Sequence, residues 1–171
     1  MTPPADLLRE SVSASVPLLR AIGEKASAEP RAPGKWSPRE GIGHLVDSAA
    51  NNHVRFVRGQ VEEDLVFPGY EQEGFVRIQA YACAPWRDLV ALWRAYNLHL
   101  ARVIDEIPGE VMRRKRKRHN FHRLGWREFS ESEPASLEDL IIDYVLHLRH
   151  HLGQVVRLPE DQPDRQPTPP R

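Results

Sequence analysis

The chain has 171 residues, and 24 lysine and arginine residues balance 24 aspartate and glutamate residues, which gives a formal net charge of zero with histidine neutral. This length is typical of one domain with a substantial hydrophobic core. The neutral balance argues against a general attraction to nucleic acid or to an anionic membrane. No apolar run approaches the roughly 18 residues of a membrane span.

A single cysteine excludes a disulfide scaffold and a cysteine-rich zinc site. The first residues contain no basic segment followed by an apolar one, so no signal peptide is expected. We therefore expect a soluble, cytoplasmic globular protein. The eight histidines are the unusual feature of the composition, because they are spread unevenly along the chain.

Four segments show the apolar spacing of amphipathic helices. The first is expected over residues 5–28 and the third over residues 85–107, and prolines follow both of them. The second opens at Ser37, which can cap the free amides of a first turn. Pro38 fits the first helical position, and Glu40 completes the pattern of a capping box.

The fourth helix opens at Ser136, which is followed by two acidic residues suited to a first turn, and it extends to Pro159. No segment shows the alternation of a β-strand. The prediction is an all-α fold, an antiparallel four-helix bundle that forms one domain over residues 1–158. Residues 159–171 hold several prolines and charges but no apolar run, and are expected to be disordered.

Two connections of the predicted bundle are long. They span residues 61–84 and 109–135, and loops of this length in a compact domain usually carry function or local structure. A short helix is expected over residues 74–82, within the first of these connections.

Two histidines on the fourth helix have the spacing of metal ligands. His147 and His151 lie four residues apart, and therefore about 40° apart around the helix. This is the spacing with which two imidazoles reach one metal ion. His151 falls inside the apolar stripe and His147 at its edge, whereas His150 is turned toward solvent. The same spacing also arises by chance in helices that bind no metal.

A polar row occupies one side of the second helix. It consists of His44, Ser48, Asn51 and Arg55. The row lies almost opposite the apolar stripe, so a solvated face is one interpretation. Its middle lacks the lysines and glutamates that such a face normally carries, which fits a polar cavity better. Asp47 lies beside the row and is placed to orient an imidazole by accepting its second N–H.

These motifs resemble the DinB/YfiT-like superfamily. The sequences KWSPRE at residues 35–40 and GHLVDSAANNHVRF at residues 43–56 resemble its second helix, and YVLHLRHHLGQ at residues 144–154 resembles its last helix. PGYE at residues 68–71 is similar to the Pro-Tyr-Glu segment of YfiT-like members. The resemblance covers about residues 36–156 and is carried mainly by the two histidine motifs.

The resemblance implies an up-down-down-up bundle that binds a divalent metal through one histidine of the second helix and two of the last. Matched by motif, the ligands are His44, His147 and His151. Three neutral imidazoles favour zinc, nickel or iron, and they leave positions open for water or substrate. Related proteins include metal-dependent hydrolases, and transferases or isomerases that use low-molecular-weight thiols.

Three functions are compatible with such a site, and the residues alone do not separate them. The leading hypothesis is an enzyme whose metal activates a low-molecular-weight thiol for transfer to an electrophile. The second is a hydrolase that uses metal-bound hydroxide. The third is a stress-related metal-binding protein without turnover.

Five residues are candidates for the chemistry around the metal. Asp47 would support the metal site or accept a proton. Asn51 and Arg55 would hold a polar substrate, while Tyr70 and Glu71 would line the opening. The expected partner is a small molecule, and bundles of this kind also form homodimers.

A run of six basic residues over 113–118 is the strongest local charge in the sequence. A nucleic-acid patch is one interpretation. We expect instead a solvated loop, partly offset by Glu128, Glu131 and Glu133, or a loop that attracts anions at the mouth of the pocket. Nucleic acid is therefore not an expected partner.

Overall fold

The computed structural model describes residues 2–156. Within them the chain is helical, and two isolated backbone bridges, Leu65 with His119 and Arg116 with Ala135, occur outside the helices. No helix in this part of the chain is long and apolar enough to cross a membrane. The expected disordered tail, residues 159–171, lies outside the described residues.

The fold is a four-helix bundle, as predicted, with short helices in its connections. In chain order the helices are α1 (Pro4–Ala21), α2 (Glu24–Ser27), α3 (Pro38–Val61), α4 (Gln72–Ile78), α5 (Trp86–Asp105), α6 (Gly109–Arg113), α7 (Phe121–Leu124) and α8 (Leu137–Val155). A 3-10 turn over Tyr81–Cys83 precedes α5. The long helices α1, α3, α5 and α8 form the bundle, and both long connections carry local structure.

Reciprocal capping boxes start α3 and α8 at the predicted serines. The backbone N–H of Ser37 donates to the Glu40 carboxylate at 2.8 Å, and the Ser37 side chain accepts from the Glu40 amide. Ser136 and Asp139 form the same arrangement, again with a 2.8 Å bond from the serine N–H. Each box satisfies amides that a helix start leaves unpaired, so local sequence determines where both helices begin.

The first helix is shorter than predicted. Ile22 is extended, with φ −73° and ψ 122°, and ends α1 before α2 begins. The expectation of one helix over residues 5–28 is therefore wrong. The break lets α2 reach the start of α3, because Arg39 donates to the Ser27 hydroxyl at 2.9 Å and to the Glu24 carboxylate at 2.6 Å.

Contacts at one end of the bundle set the directions of the long helices. At the start of α5, Trp86 Nε1 donates to the carbonyl of Leu19, near the end of α1, at 3.0 Å. Near the start of α3, Gly41 packs against Val155 at the end of α8. The short α2 keeps the end of α1 beside the start of α3. As a result α1 and α8 run toward this end, while α3 and α5 run away from it.

Helix α3 packs against both α5 and α8, and it also contacts α2, α4 and the 3-10 turn. Its apolar stripe is buried, with Ile42 and Leu45 fully inaccessible. Three members of its polar row are buried too, since His44, Ser48 and Arg55 are 0%, 2% and 6% exposed, while Asn51 is half-buried. The row is therefore an internal polar surface and not a solvated face.

Candidate metal centre

Three histidine side chains meet between α3 and α8. The Nε2 atoms of His44 and His147 are 3.3 Å apart. The ring centroid of His151 lies 4.7 Å from that of His44 and 4.5 Å from that of His147. One ring nitrogen from each residue lies within 4.8 Å of the other two. The three ligands implied by the sequence resemblance are thus brought together.

The triad is electrically neutral at physiological pH. Burial, with repulsion from His151 in the same direction, lowers the pKa of His44 to about 4. Burial and the neighbouring imidazoles lower the pKa of His147 to about 3. The pKa of His151 is also lowered, again mainly by burial. Neutral imidazoles have the free lone pair that a metal requires.

The donor set fits a divalent metal. Nitrogen ligands lie about 2.0–2.1 Å from zinc, so two ligands at a tetrahedral angle are about 3.3 Å apart. The two facing Nε2 atoms are at 3.3 Å. The Nδ1 atom of His44 is buried without a hydrogen-bond partner in residues 2–156. Ligation through Nε2 would leave Nδ1 without a partner, so the fit to a metal rests on the spacing of the facing Nε2 atoms.

Trp36 covers the triad from the start of α3. Its ring centroid lies 5.0 Å from His44 and 6.4 Å from His151. Trp36 directly precedes the helix cap, and this position lays the indole along the first two turns of α3. Helical periodicity does not predict this contact, because Trp36 lies outside the helix. The indole contacts His44 and His151, and with His151 it borders a second hollow of about 490 Å³.

A polar cavity of about 320 Å³ opens beside His147 and His151. Polar and charged residues from α3, α8 and both long connections line it: Ser48, Asn52, Arg55, Tyr70, Arg123, Trp126, Asp143 and Tyr144. The sequence analysis did not select Asp143 and Tyr144. They lie four and three residues before His147, and this spacing would have placed them on the same side of α8.

Asn51 does not line the cavity, and its neighbour Asn52 does. The Asn51 amide donates to the carbonyl of Asp47 at 2.9 Å, and the side chain borders a separate hollow beside Pro68. Asn52 lines the cavity instead and donates to the carbonyl of Ser48 at 2.9 Å.

The two candidates from the first long connection differ in position. Tyr70 lines the cavity, and burial together with the negative charge of Asp47 raises the pKa of Tyr70 to about 12. Its phenol therefore keeps its proton at neutral pH. Glu71 caps α4 by accepting from the amides of Glu73 and Gly74 at 3.1 and 2.6 Å. Its carboxylate is occupied by the helix start, and Glu71 does not line the cavity.

Asp47 is buried and does not line the cavity. Its Oδ1 accepts from Gln79 at 2.6 Å and from the Tyr81 hydroxyl at 2.8 Å. Its Oδ2 is buried and has no partner in the part of the chain that the structure describes. Burial raises the pKa of Asp47. Gly43 makes room for this contact, because a Cβ there would lie 2.2 Å from the Tyr81 ring.

The basic run over residues 113–118 is not a uniformly solvated loop. Arg116 is 5% exposed and donates to the carbonyl of Gly59 at 2.9 Å. Two other cations of the run pair with Asp64 and Asp139, and not with the glutamates expected to offset them. No residue of the run lines the polar cavity beside His147 and His151, so the expectation of an anion-attracting loop at its mouth is wrong.

A four-helix bundle that joins three neutral histidines to a polar cavity defines a class of candidate metal-dependent proteins. The family model of the DinB superfamily matches residues 7–155, and the chain belongs to this superfamily. The resemblance found in the sequence is thereby confirmed. No curated protein matches the sequence.

Among solved structures, the fold is similar to that of YfiT from Bacillus subtilis. The TM-score is 0.73 and the identity is 19%, over 89% of this chain and 81% of that chain. YfiT is described as a probable metal-dependent hydrolase with an unusual four-helix bundle topology. At this identity the likeness shows the fold.

Proposed function

We propose that the protein is a metal-dependent enzyme that activates a low-molecular-weight thiol for transfer to an electrophile. One observation mainly supports the proposal. Three neutral histidines lie beside a polar cavity whose wall, within residues 2–156, has no carboxylate without hydrogen-bond donors. A divalent zinc, nickel or iron ion held by His44, His147 and His151 would act as a Lewis acid, lowering the pKa of a thiol or water that binds it.

The state of the cavity carboxylate supports a thiol as the nucleophile. Asp143 accepts from the amides of Trp126 and Arg127 at 2.9 and 2.8 Å, and also from the Arg127 side chain at 3.2 Å. Within residues 2–156, the cavity wall therefore offers no uncommitted carboxylate to serve as a general base. A thiol ionises near pH 8.5, whereas water ionises near 15.7, so a thiol needs much less help.

The surrounding residues would bind and position the reactants. Ser48 and Asn52 present polar groups to the cavity, and the protonated phenol of Tyr70 can donate a hydrogen bond there. Trp36 would hold the His44 and His151 rings in place by packing against them. Asp47 would act indirectly, by holding Gln79 and Tyr81 in the connection before α5.

A hydrolase is the second candidate, because the description of YfiT favours it and the same ligands serve both reactions. A bound metal without turnover is the third. Assays of the metal-loaded protein with thiols and an electrophile, run beside panels of esters and amides, separate the three functions. We expect turnover with a thiol, and hydrolysis alone would establish the second candidate.

Metal content tests the site itself. We expect about one metal ion per chain by elemental analysis, and its loss in each of His44→Ala, His147→Ala and His151→Ala. His150→Ala is the matched control, since His150 is an exposed imidazole on the same helix and should leave the metal content unchanged. Protein without affinity for added zinc, nickel or iron would overturn the proposal.

A further inference from the structure

Arg55 is a buried cation that no carboxylate neutralises. It is 6% exposed, and it donates to the carbonyl of Pro68 at 3.0 Å and to Asn52 Oδ1 at 3.4 Å. Both acceptors are neutral, and none of the ion pairs in residues 2–156 includes Arg55. Burial of a charge without an opposite charge is costly, and burial lowers the pKa of Arg55.

The position of Arg55 relates it to the triad. Arg55 lines the same cavity as His147 and His151. On α3 it lies two turns beyond Ser48, which is about 10 Å along the helix axis. Ser48 Oγ in turn lies 3.5 Å from Nδ1 of His147. A molecule that fills the cavity from the triad outward would therefore meet the Arg55 guanidinium near its other end.

The other charged groups of the cavity leave this positive charge uncompensated. Asp143 is engaged by Arg127 and the loop amides. Arg123 adds a second cation to the wall, and a bound divalent metal would add two further positive charges. Arg55 uses two of its five N–H donors on protein acceptors, which leaves donors for the two oxygens of a planar anion.

We propose that Arg55 binds an anionic group, a carboxylate or a phosphate, of the molecule whose reactive end lies at the histidine triad. The substrate class is thus a small acidic compound, and Asn52 positions the guanidinium that recognises it. This inference rests on the proposed function, because the triad defines which end of the molecule reacts. If Arg55 served only to hold the Pro68 loop, its replacement would alter stability and leave anion binding unchanged.

The test is a titration of metal-free protein with inorganic phosphate and, separately, with acetate. The Nε–Hε resonance of Arg55 in NMR spectra should shift saturably, and the anion that binds more tightly identifies the preferred group. Isothermal titration calorimetry, which does not depend on that resonance, measures anion binding by the variants, and Arg55→Met should bind at least tenfold more weakly than wild type. Arg58→Met is the matched control, since Arg58 lies one turn further along α3 and pairs with Glu62, and binding should stay within twofold of wild type.

Two outcomes would overturn the inference: no saturable shift in the wild-type protein, or equal binding by Arg55→Met and Arg58→Met. If Arg55→Met does not fold, Arg55→Lys replaces it, because lysine keeps the charge and loses the planar fork. Arg55→Lys should bind anions less tightly than wild type, and wild-type affinity in this variant would contradict the inference.

Metal titrations of the same proteins separate this inference from the proposed function. We expect Arg55→Met to bind metal as the wild type does. Arg55-dependent anion binding in a protein that takes up no metal would support the anion site while overturning the proposed enzyme. Metal uptake without anion binding would overturn the anion site alone.

Discussion

The Nε2 atoms of His44 and His147 lie 3.3 Å apart, although the two residues are 103 positions apart in the sequence. Burial is the main reason that the pKa of His44 falls to about 4 and that of His147 to about 3. Folding therefore holds both imidazoles in their neutral form, and protonation opposes the folded state.

Metal-free protein is expected to lose stability as the pH falls from about 6.5 toward 4. In this range the histidines are protonated in the unfolded chain but stay neutral in the folded chain, so the unfolded state binds more protons. The free energy of unfolding therefore decreases as the pH decreases. The contribution of His44 is on the order of 3 kcal/mol, at about 1.4 kcal/mol for each pKa unit. Urea denaturation with a chelator present, at several pH values, measures the slope.

His44→Leu is the control for this pH dependence. The variant removes one of the suppressed titrations, and the slope of stability against pH should become shallower. An unchanged slope would mean that the buried triad does not resist protonation.

Gly43→Ala should destabilise the protein by about 1–3 kcal/mol, the usual cost of overpacking. The new Cβ would lie 2.2 Å from the ring of Tyr81, which must move and weaken its hydrogen bond to Asp47. This cost should exceed the gain in helix propensity from alanine. Gly23→Ala is the control, since nothing lies within 4 Å of its added Cβ. Equal midpoints of urea denaturation for the two variants would contradict the close approach of Tyr81.

Asp143→Asn should loosen the loop at Trp126 and Arg127, which borders the polar cavity beside His147 and His151. The carboxylate of Asp143 accepts three hydrogen bonds from Trp126 and Arg127. The asparagine side chain has an NH₂ group where one carboxylate oxygen of Asp143 accepts from an N–H donor. This donor–donor contact should lower the free energy of unfolding by about 1–3 kcal/mol. The backbone amides of Trp126 and Arg127 should then exchange with deuterium faster than in wild type. Glu138→Gln, on the same helix, should alter neither property, and equal exchange of these amides in both variants would exclude the anchoring role.

Tyr144→Phe should lower the free energy of unfolding by about 1–3 kcal/mol. The Tyr144 hydroxyl donates to Asn97 Oδ1 at 2.5 Å, and both residues are buried. Phenylalanine leaves this amide oxygen without its donor. Tyr96→Phe is a milder comparison, because the Tyr96 hydroxyl meets His53 at 3.3 Å in a half-buried position. A smaller loss in Tyr144→Phe than in Tyr96→Phe would contradict this ranking.

Local sequence predicts the parts of the fold that depend on local interactions. The capping box at Ser37 and the helix cap at Ser136 are predicted correctly, because each is formed by residues within three positions. The pair of His147 and His151 was likewise visible in helical spacing. The break at Ile22 was missed, since Arg39 stabilises α2 from a distant part of the sequence.

The details of the cavity depend on tertiary contacts that spacing does not contain. Helical angles placed Asn51 in the polar row, yet the connection at Phe67 and Pro68 borders the hollow on that side, and Asn52 faces the cavity. The burial of Arg116 was hidden within a run of charges. Its position follows from the carbonyl of Gly59, which lies 57 residues earlier in the chain.

The triad takes one ligand from α3 and two from α8, the last of the long helices. The chain is synthesised from its N-terminus, so His44 is made before α8, which carries His147 and His151. A nascent chain therefore has one of the three ligands until translation passes His151. Under the proposed function, metal binding by all three histidines would therefore come late in the life of each molecule, and it would mark chains in which α8 is complete.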